Sequence, residues 1–316
     1  MKRPELLVSY AQNHEDVVLA RLFQPWNRKG HWIDVGAGHP TFDSVTKLFS
    51  DFGWTGINVE PLEEEFNCLQ NERPLDVNIK CAIDLCPGER PIYEGPPESR
   101  GTSSLKILSS AQHEGIMSIV ETRTLDQIMK DAPWPIDFIK IDVEGMEEEV
   151  LKSADWSKVT ASVIVVEATA PNSTDPTHDS WEHILLEAGF ESRLFDGLNR
   201  FYENSRNEIA GRLSWFPATV QDRFVGVSEF ALQMTVRDLR QSVLELERYV
   251  ASLKLNLTSS INDAGSAASY ARTLEVEIEK LEVALSHSEA TRHSQDTTIA
   301  DLKQRLLALH HRFENL

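Results

Sequence analysis

The chain has 316 residues, 41% of them hydrophobic and 26% charged, enough for one α/β domain and an appendage. Its 50 acidic residues against 31 basic ones give a formal net charge of −19, which disfavours nonspecific nucleic-acid binding, because that requires Lys and Arg to neutralise phosphates. Cys68, Cys81 and Cys86 leave an odd count without CxxC spacing, and no stretch approaches the ~20 apolar residues of a membrane span, so a reduced, soluble, cytoplasmic protein is expected.

Residues 9–23, SYAQNHEDVVLARLF, read as a short helix laid across a sheet, with Val17, Val18, Leu19, Leu22 and Phe23 on its apolar side. Its polar group of Gln12, Asn13, Glu15 and Asp16 is either a solvated first turn or a lining for the amino-acid end of a cofactor. WIDVGAGHP (32–40) follows. An apolar run ending in Asp34 and broken by Gly36 and Gly38 predicts a buried strand, a tight turn and a helix starting near Phe42. Glycines without a Cβ let a ligand lie against the main chain, and the helix start behind them offers unpaired N–H groups. TGINVEP (55–61) predicts a second strand ending in Glu60, 22 residues after Gly38, where an acid can accept both hydroxyls of a ribose. Thr41 replaces the third glycine of a dinucleotide motif, and Pro40 withdraws an N–H that a pyrophosphate would use. The site therefore suits S-adenosylmethionine better than a nicotinamide dinucleotide.

DVNIKCAI (76–83) predicts a third strand. Residues 84–120, with Pro87, Pro91, Pro96 and Pro97, read as an irregular connection of functional length, and GTSSL (101–105) within it offers hydroxyls to a polar substrate or to a helix cap. A helix over 124–129 leads to a fourth strand, IDFIKID (136–142), and then to DVEGMEEE. Asp142 and Glu144 sit just past a carboxyl strand end, the edge at which open α/β sheets bind ligands, while Glu147, Glu148 and Glu149 read as the first turn of a helix over 146–151. SVIVVEA (162–168) is a fifth strand closing on Glu167. A helix over 181–188 and two short strands around 194–202, broken at Asp196 and Gly197, complete a doubly wound sheet of about seven strands. Asp142, Glu144 and His39 are the general-base candidates for a hydroxyl acceptor. Asp142, Glu144 and Glu167 offer carboxylates that Mg²⁺ also takes, but their spacing matches no compact metal motif and no metal is expected.

From Leu232 onward apolar residues recur at alternating spacings of four and three. Val236, Val243 and Val250 lie on one seam, Leu232, Leu239, Leu246 and Leu253 on the other, and the register continues to Phe313. This predicts a parallel two-stranded coiled coil over 228–316, hence a homodimer; the alternative is an antiparallel hairpin folding back at Asn262 to Gly265. The expected layout is an N-terminal helical segment over 1–30 packed on a catalytic domain over 31–227, followed by the coiled coil.

The stretches SYAQNHED, WIDVGAGHP, GINVEP, TLDQI, IDFIKIDVEGMEEEVL, VIVVEAT and FDGLNRFY together resemble the FkbM-type family of S-adenosylmethionine-dependent O-methyltransferases, across residues 9–227. The coiled coil lies outside the resemblance. The family implies a seven-stranded, doubly wound class I methyltransferase (Rossmann-like) fold. By residue it implies Asp34, Gly36 and Gly38 beside the methionine moiety, Glu60 on the ribose and Asp142 near the sulfonium and acceptor. Ala37 within the turn, Pro61 after Glu60 and Ile83 at the end of the third strand complete the implied cofactor set. His39 departs from the pattern, standing where asparagine is usual. Members similar in FDGLNRFY often accompany glycan-synthesis enzymes, which implies a hydroxyl of a sugar or glycan precursor as acceptor. Two rival classes are a noncatalytic cofactor-fold head on a dimerising rod, acting as a scaffold, and a nicotinamide oxidoreductase, which Thr41 and Pro40 oppose.

Overall fold

The structure is a computed structural model that describes residues 2–93, 117–170 and 173–262, together with the single positions 276, 279, 280 and 283. In chain order the strands are β1 (Leu7–Ser9), β2 (His31–Val35), β3 (Thr55–Val59), β4 (Val77–Ile79), β5 (Ala82–Ile83), β6 (Gly88–Tyr93), β7 (Met117–Arg123), β8 (Phe138–Ile141), β9 (Val163–Glu167), β10 (Phe190–Phe195), β11 (Asn199–Asn204) and β12 (Phe224–Gly226). The α-helices are α1 (Glu15–Phe23), α2 (Lys47–Asp51), α3 (Glu63–Glu72), α4 (Leu125–Asp131), α5 (Glu147–Lys152), α6 (Glu182–Glu187) and α7 (Val227–Asn262). The chain divides into two units, Met1–Val227 and Ser228–Leu316.

The first unit is built on a mixed seven-stranded sheet in the order β10-β11-β9-β8-β2-β3-β4. Strands β2, β3, β4, β8 and β9 run parallel, and β11 is antiparallel to both β9 and β10. Alternate residues of the central strands feed two cores, as the two-residue strand period requires. Ile33, Val35, Ile57, Val59, Ile139, Ile141, Ile164 and Val166 enter one core. Trp32, Phe138, Val163 and Val165 enter the other, with Leu19 and Phe23 of α1 and Phe49 of α2. A Cβ on Gly56 would stand 2.4 Å from the Trp32 indole, so the glycine makes room for that ring, whose Nε1 donates to Asn58 Oδ1 at 3.0 Å.

Several local expectations are corrected. The helix after the glycine turn begins at Lys47, not near Phe42, because Asp43 takes φ +56 and stops a helix forming through it. The third strand is two strands, β4 in the large sheet and β5 in a three-stranded sheet ordered β5-β7-β6. Part of the connection expected to be irregular is the antiparallel pair β6 and β7; Pro91 is tolerated because β6 is an edge strand. GTSSL lies outside the described residues. The polar group around α1 is not a solvated turn, since Glu15 and Asp16 are both buried. Asp16 accepts from Ser9 Oγ, Tyr10 N and Val17 N at 2.7 to 2.8 Å. Glu15 accepts from Asn13 N at 3.0 Å and from Asn199 Nδ2, and Asn13 Nδ2 donates to the Asp196 carbonyl at 3.1 Å, so this group ties the chain start to the β10–β11 turn.

In the second unit α7 buries Val236, Val243, Val250 and Leu253, the seam that the heptads assign. One helix does not establish the coiled coil expected over 228–316, and the rest of its seam lies outside the described residues. Cys68, Cys81 and Cys86 are free thiols. Among the described residues no helix is long and apolar enough to cross a membrane.

Candidate functional site

Strand order turns back between β2 and β8, and the carboxyl ends of these strands open the crevice where such sheets bind ligands. Register places Asp34 of β2 beside Asn58 of β3 on one side and Lys140 of β8 on the other. The side-chain alternation that sends Trp32, Phe138 and Val165 to one core sends Asp34, Lys140 and Glu167 to the same face.

Lys140 is 5% exposed and Asp34 1%. The Lys140 ammonium lies 3.1 Å from Asp142 Oδ2 and 3.8 Å from Asp34 Oδ1, and it donates to the Gly36 carbonyl at 3.3 Å. Burial pulls this ammonium's pKa down, but the carboxylates of Asp142 and Asp34 outweigh it and hold the value above the usual lysine range. Burial likewise pushes Asp34 up, against Lys140, the Thr46 hydroxyl at 3.1 Å and Arg73. Sequence reading passed over Lys140. Its signal was present: a lone cation two residues before Asp142 in an otherwise apolar strand must share that residue's face.

Gly36 takes φ +76 and Gly38 φ +58. A Cβ on Gly36 would lie 1.8 Å from the Asp142 carbonyl oxygen, whereas one on Gly38 would meet nothing within 4 Å. The first glycine is thus required by a backbone-to-backbone contact and the second opens onto free space. Ala37 N donates to the Val59 carbonyl at 3.1 Å, and Ala37 is buried. Glu60 is 4% exposed; its two oxygens accept from Gly38 N at 2.8 Å and Leu62 N at 2.9 Å. Burial raises its pKa to about 7 despite those two N–H groups, which favour the anion. Pro61 follows half-buried, and Ile83 belongs to the core around Val59 and Cys81. His39 Nδ1 accepts from Thr41 N at 3.1 Å and Phe42 N at 3.2 Å, which places the ring proton on Nε2. Through these two contacts the ring shapes the turn.

Past β8 the chain turns sharply. Glu144 has φ +52 and Gly145 φ +90, while Glu147 reaches back so that Oε1 accepts from Val143 N at 3.3 Å and Gly145 N at 3.1 Å. This turn brings Asp142 and Glu144 to Glu167 at the end of β9, with one carboxylate oxygen of each within 4.8 Å of the others. Burial, then the charges of Asp142 and Glu147, raise Glu144 to about 8. Burial, then Asp142 and Glu144, push Glu167 far above the carboxylate range. Burial raises Glu147 to about 7. Oε2 of Glu144 and Oε2 of Glu167 are buried without hydrogen-bond partners, as are Thr169 Oγ1, Thr177 Oγ1 and His178 Nδ1 just beyond. The last three were not read from the sequence, because the Thr169 to Pro176 bridge that folds their segment back onto the strand end leaves no periodic pattern.

A protein-family model described as the methyltransferase FkbM domain matches residues 34–192, half of the chain. No curated protein matches the chain. Among solved structures it is similar to a TehB-like SAM-dependent methyltransferase from Corynebacterium glutamicum, with 9% identity and a TM-score of 0.34 over 60% of this chain and 87% of that one. It is also similar to a precorrin-6y C5,15-methyltransferase from Geobacter metallireducens, with 11% identity and a TM-score of 0.34 over 64% of this chain and 98% of that one. A third is the CurJ carbon methyltransferase, with 11% identity and a TM-score of 0.31 over 62% of this chain and 56% of that one. The family match starts at Asp34, takes in the glycine turn, Glu60, Lys140 and all three clustered acids, and ends within β10: the chain belongs to the FkbM methyltransferase family.

Proposed function

We propose that this methyltransferase uses S-adenosylmethionine to methylate a hydroxyl of a sugar or glycan precursor. The observation that carries the reading is the convergence of Asp142, Glu144 and Glu167 at the strand ends, joined through Lys140 to the Asp34 and Gly36 turn. One side of the crevice is thus built to approach a ligand with main chain, and the other to accept protons from hydroxyls.

The residues fit the cofactor. Gly38 leaves open space over the turn, and Asp34 Oδ1 is a buried oxygen without a hydrogen bond. Each Glu60 oxygen accepts one backbone N–H and keeps a second lone pair for a ribose hydroxyl. Asp34, Gly36, Ala37, Gly38, Glu60 and Pro61 would hold S-adenosylmethionine, which supplies an electrophilic methyl group when bound. Ile83 supports them from the core.

Methyl transfer needs in-line approach of the acceptor oxygen, so much of the rate comes from positioning. Thr169, Thr177 and His178 offer hydrogen-bonding groups for a polyhydroxylated acceptor. Asp142 and Glu144 offer carboxylate oxygens that orient the acceptor hydroxyl and take up its proton, and Asp142 is held by Lys140 at 3.1 Å. Isothermal titration of the full chain with S-adenosylmethionine and with NAD tests the cofactor, and release of S-adenosylhomocysteine with a panel of nucleotide sugars and free sugars tests the acceptor. A folded chain that binds NAD and not S-adenosylmethionine would overturn the reading.

A further inference from the structure

We infer that Asp142, Glu144 and Glu167 form a site for one hard divalent cation, of the magnesium, manganese or calcium class, on the acceptor side of the crevice. Three observations support it. The three carboxylates come from two adjacent strand ends and one turn, and each places an oxygen within 4.8 Å of the other two. Oxygens in adjacent positions on one Mg²⁺ at about 2.1 Å stand about 3 Å apart, and on Ca²⁺ at about 2.4 Å about 3.4 Å apart, so side-chain rotations of about an ångström or two close the cluster on an ion.

The second observation is independent of the clustering. Glu167, one of whose carboxylate oxygens belongs to the cluster, is only 8% exposed, and its Oε2 is buried with no hydrogen-bond partner; Oε2 of Glu144 is likewise buried without a partner. A buried carboxylate oxygen without a donor is costly, and a cation satisfies it in full. Third, the protein's own positive charge is already committed. Among the described residues Lys140 is the cation paired with this group, and its ammonium is shared by Asp142, Asp34 and the Gly36 carbonyl. No ion pair joins Glu144 or Glu167 to a Lys or Arg among the described residues.

The donor set is oxygen alone, which selects hard cations over zinc or copper. Three carboxylate oxygens fill half of an octahedral shell, leaving three positions for water or for vicinal hydroxyls of an acceptor. The three acids match no compact metal motif in sequence because Glu167 lies 23 residues beyond Glu144 and is brought beside it by the pairing of β8 with β9. Cation binding itself does not rest on the methyl-transfer reading; its place beside the acceptor does.

The test uses the intact chain without cofactor. Mn²⁺ binding is followed by the loss of the free-ion electron paramagnetic resonance signal, and Mg²⁺ and Ca²⁺ by isothermal titration and by competition with Mn²⁺. We expect one equivalent of Mn²⁺ bound with a Kd below about 1 mM. Glu167→Gln and Glu144→Gln should each weaken it about tenfold or more, while Glu63→Gln, on the exposed start of α3, leaves it unchanged. Two substitutions are used so that one misfolded variant does not decide the matter. An unchanged free Mn²⁺ signal up to millimolar ion, or equal binding by the folded Glu167→Gln and Glu144→Gln chains, would overturn the inference. S-adenosylmethionine titrations on the same samples, with and without EDTA, report the cofactor site separately, so failure of the cation site and failure of the methyltransferase reading give different results.

Discussion

Lys140 lies on β8 and Asp142 just past its end, and the Lys140 ammonium stands 3.1 Å from the Asp142 carboxylate while also facing Asp34. This cation bridges the glycine turn and the acid cluster. Removing it leaves buried negative charge without compensation, which costs about 3 to 5 kcal/mol. Lys140→Met is expected to lose that much in urea denaturation at pH 7, and adding Asp34→Asn should restore part of it. A loss below about 1 kcal/mol would show that the ammonium is not the compensating charge.

Glu60→Gln should weaken S-adenosylmethionine binding by about 1.5 to 3 kcal/mol, the scale of a charge-assisted hydrogen bond. Because Gln keeps one acceptor for the Gly38 or Leu62 N–H, the far-ultraviolet circular dichroism should be preserved. An unchanged dissociation constant would remove Glu60 from the ribose.

The two glycines of the turn should separate stability from binding. Gly36→Ala forces a Cβ onto the Asp142 carbonyl and should cost more than about 3 kcal/mol. Gly38→Ala meets open space, so the fold should lose only about 1 to 2 kcal/mol for a left-handed alanine, while cofactor affinity falls. Thermal denaturation and titration of both variants check the split.

Asp142→Asn keeps shape and removes charge. Turnover should fall by about 100-fold or more with cofactor affinity nearly preserved, measured as initial rate and as a binding isotherm. Full activity would return Asp142 to strand-end structure.

Burial raises Glu15 from 4.5 to about 8, with the charge of Asp196 adding to it. The raised folded value means that stability is fully present below pH 4.5 and declines as pH rises toward 8, by at most on the order of 5 kcal/mol. Asp16, raised by burial to about 6, acts in the same direction over a lower window. Glu15→Gln, whose amide Asn199 can meet by rotating its own, should flatten the melting temperature between pH 6 and 9. A wild-type melting temperature that rises over that interval would contradict the assignment.

The outline of the head was legible because burial on both faces makes β2, β3, β8 and β9 nearly uninterrupted apolar runs, and Asp34, Glu60, Asp142 and Glu167 stand at or just past their carboxyl ends. Lys140 was passed over because attention to overall apolarity hid the period-two relation to Asp142. Helix α3 has no counterpart among the expected elements, although Glu63, Glu64 and Glu65 at its start complement a helix dipole. The β6 and β7 pair was hidden by Pro91, whose tolerance depends on which strand is the edge, a fact of pairing and not of local sequence. In α7 the heptads located the buried seam. Sedimentation velocity of the intact chain at micromolar concentration tests the expected parallel two-chain rod: an elongated dimer supports it, and a monomer supports the hairpin that folds back at Asn262 to Gly265.

The contact between Gly36 and the Asp142 carbonyl joins main chain to main chain, so no side-chain rotation can absorb a displacement there. Whatever moves the 142–147 turn moves the glycine turn with it. Loading one half of the crevice should therefore be felt by the other, and by thermodynamic reciprocity the acceptor should alter cofactor affinity by the same factor as the cofactor alters acceptor affinity.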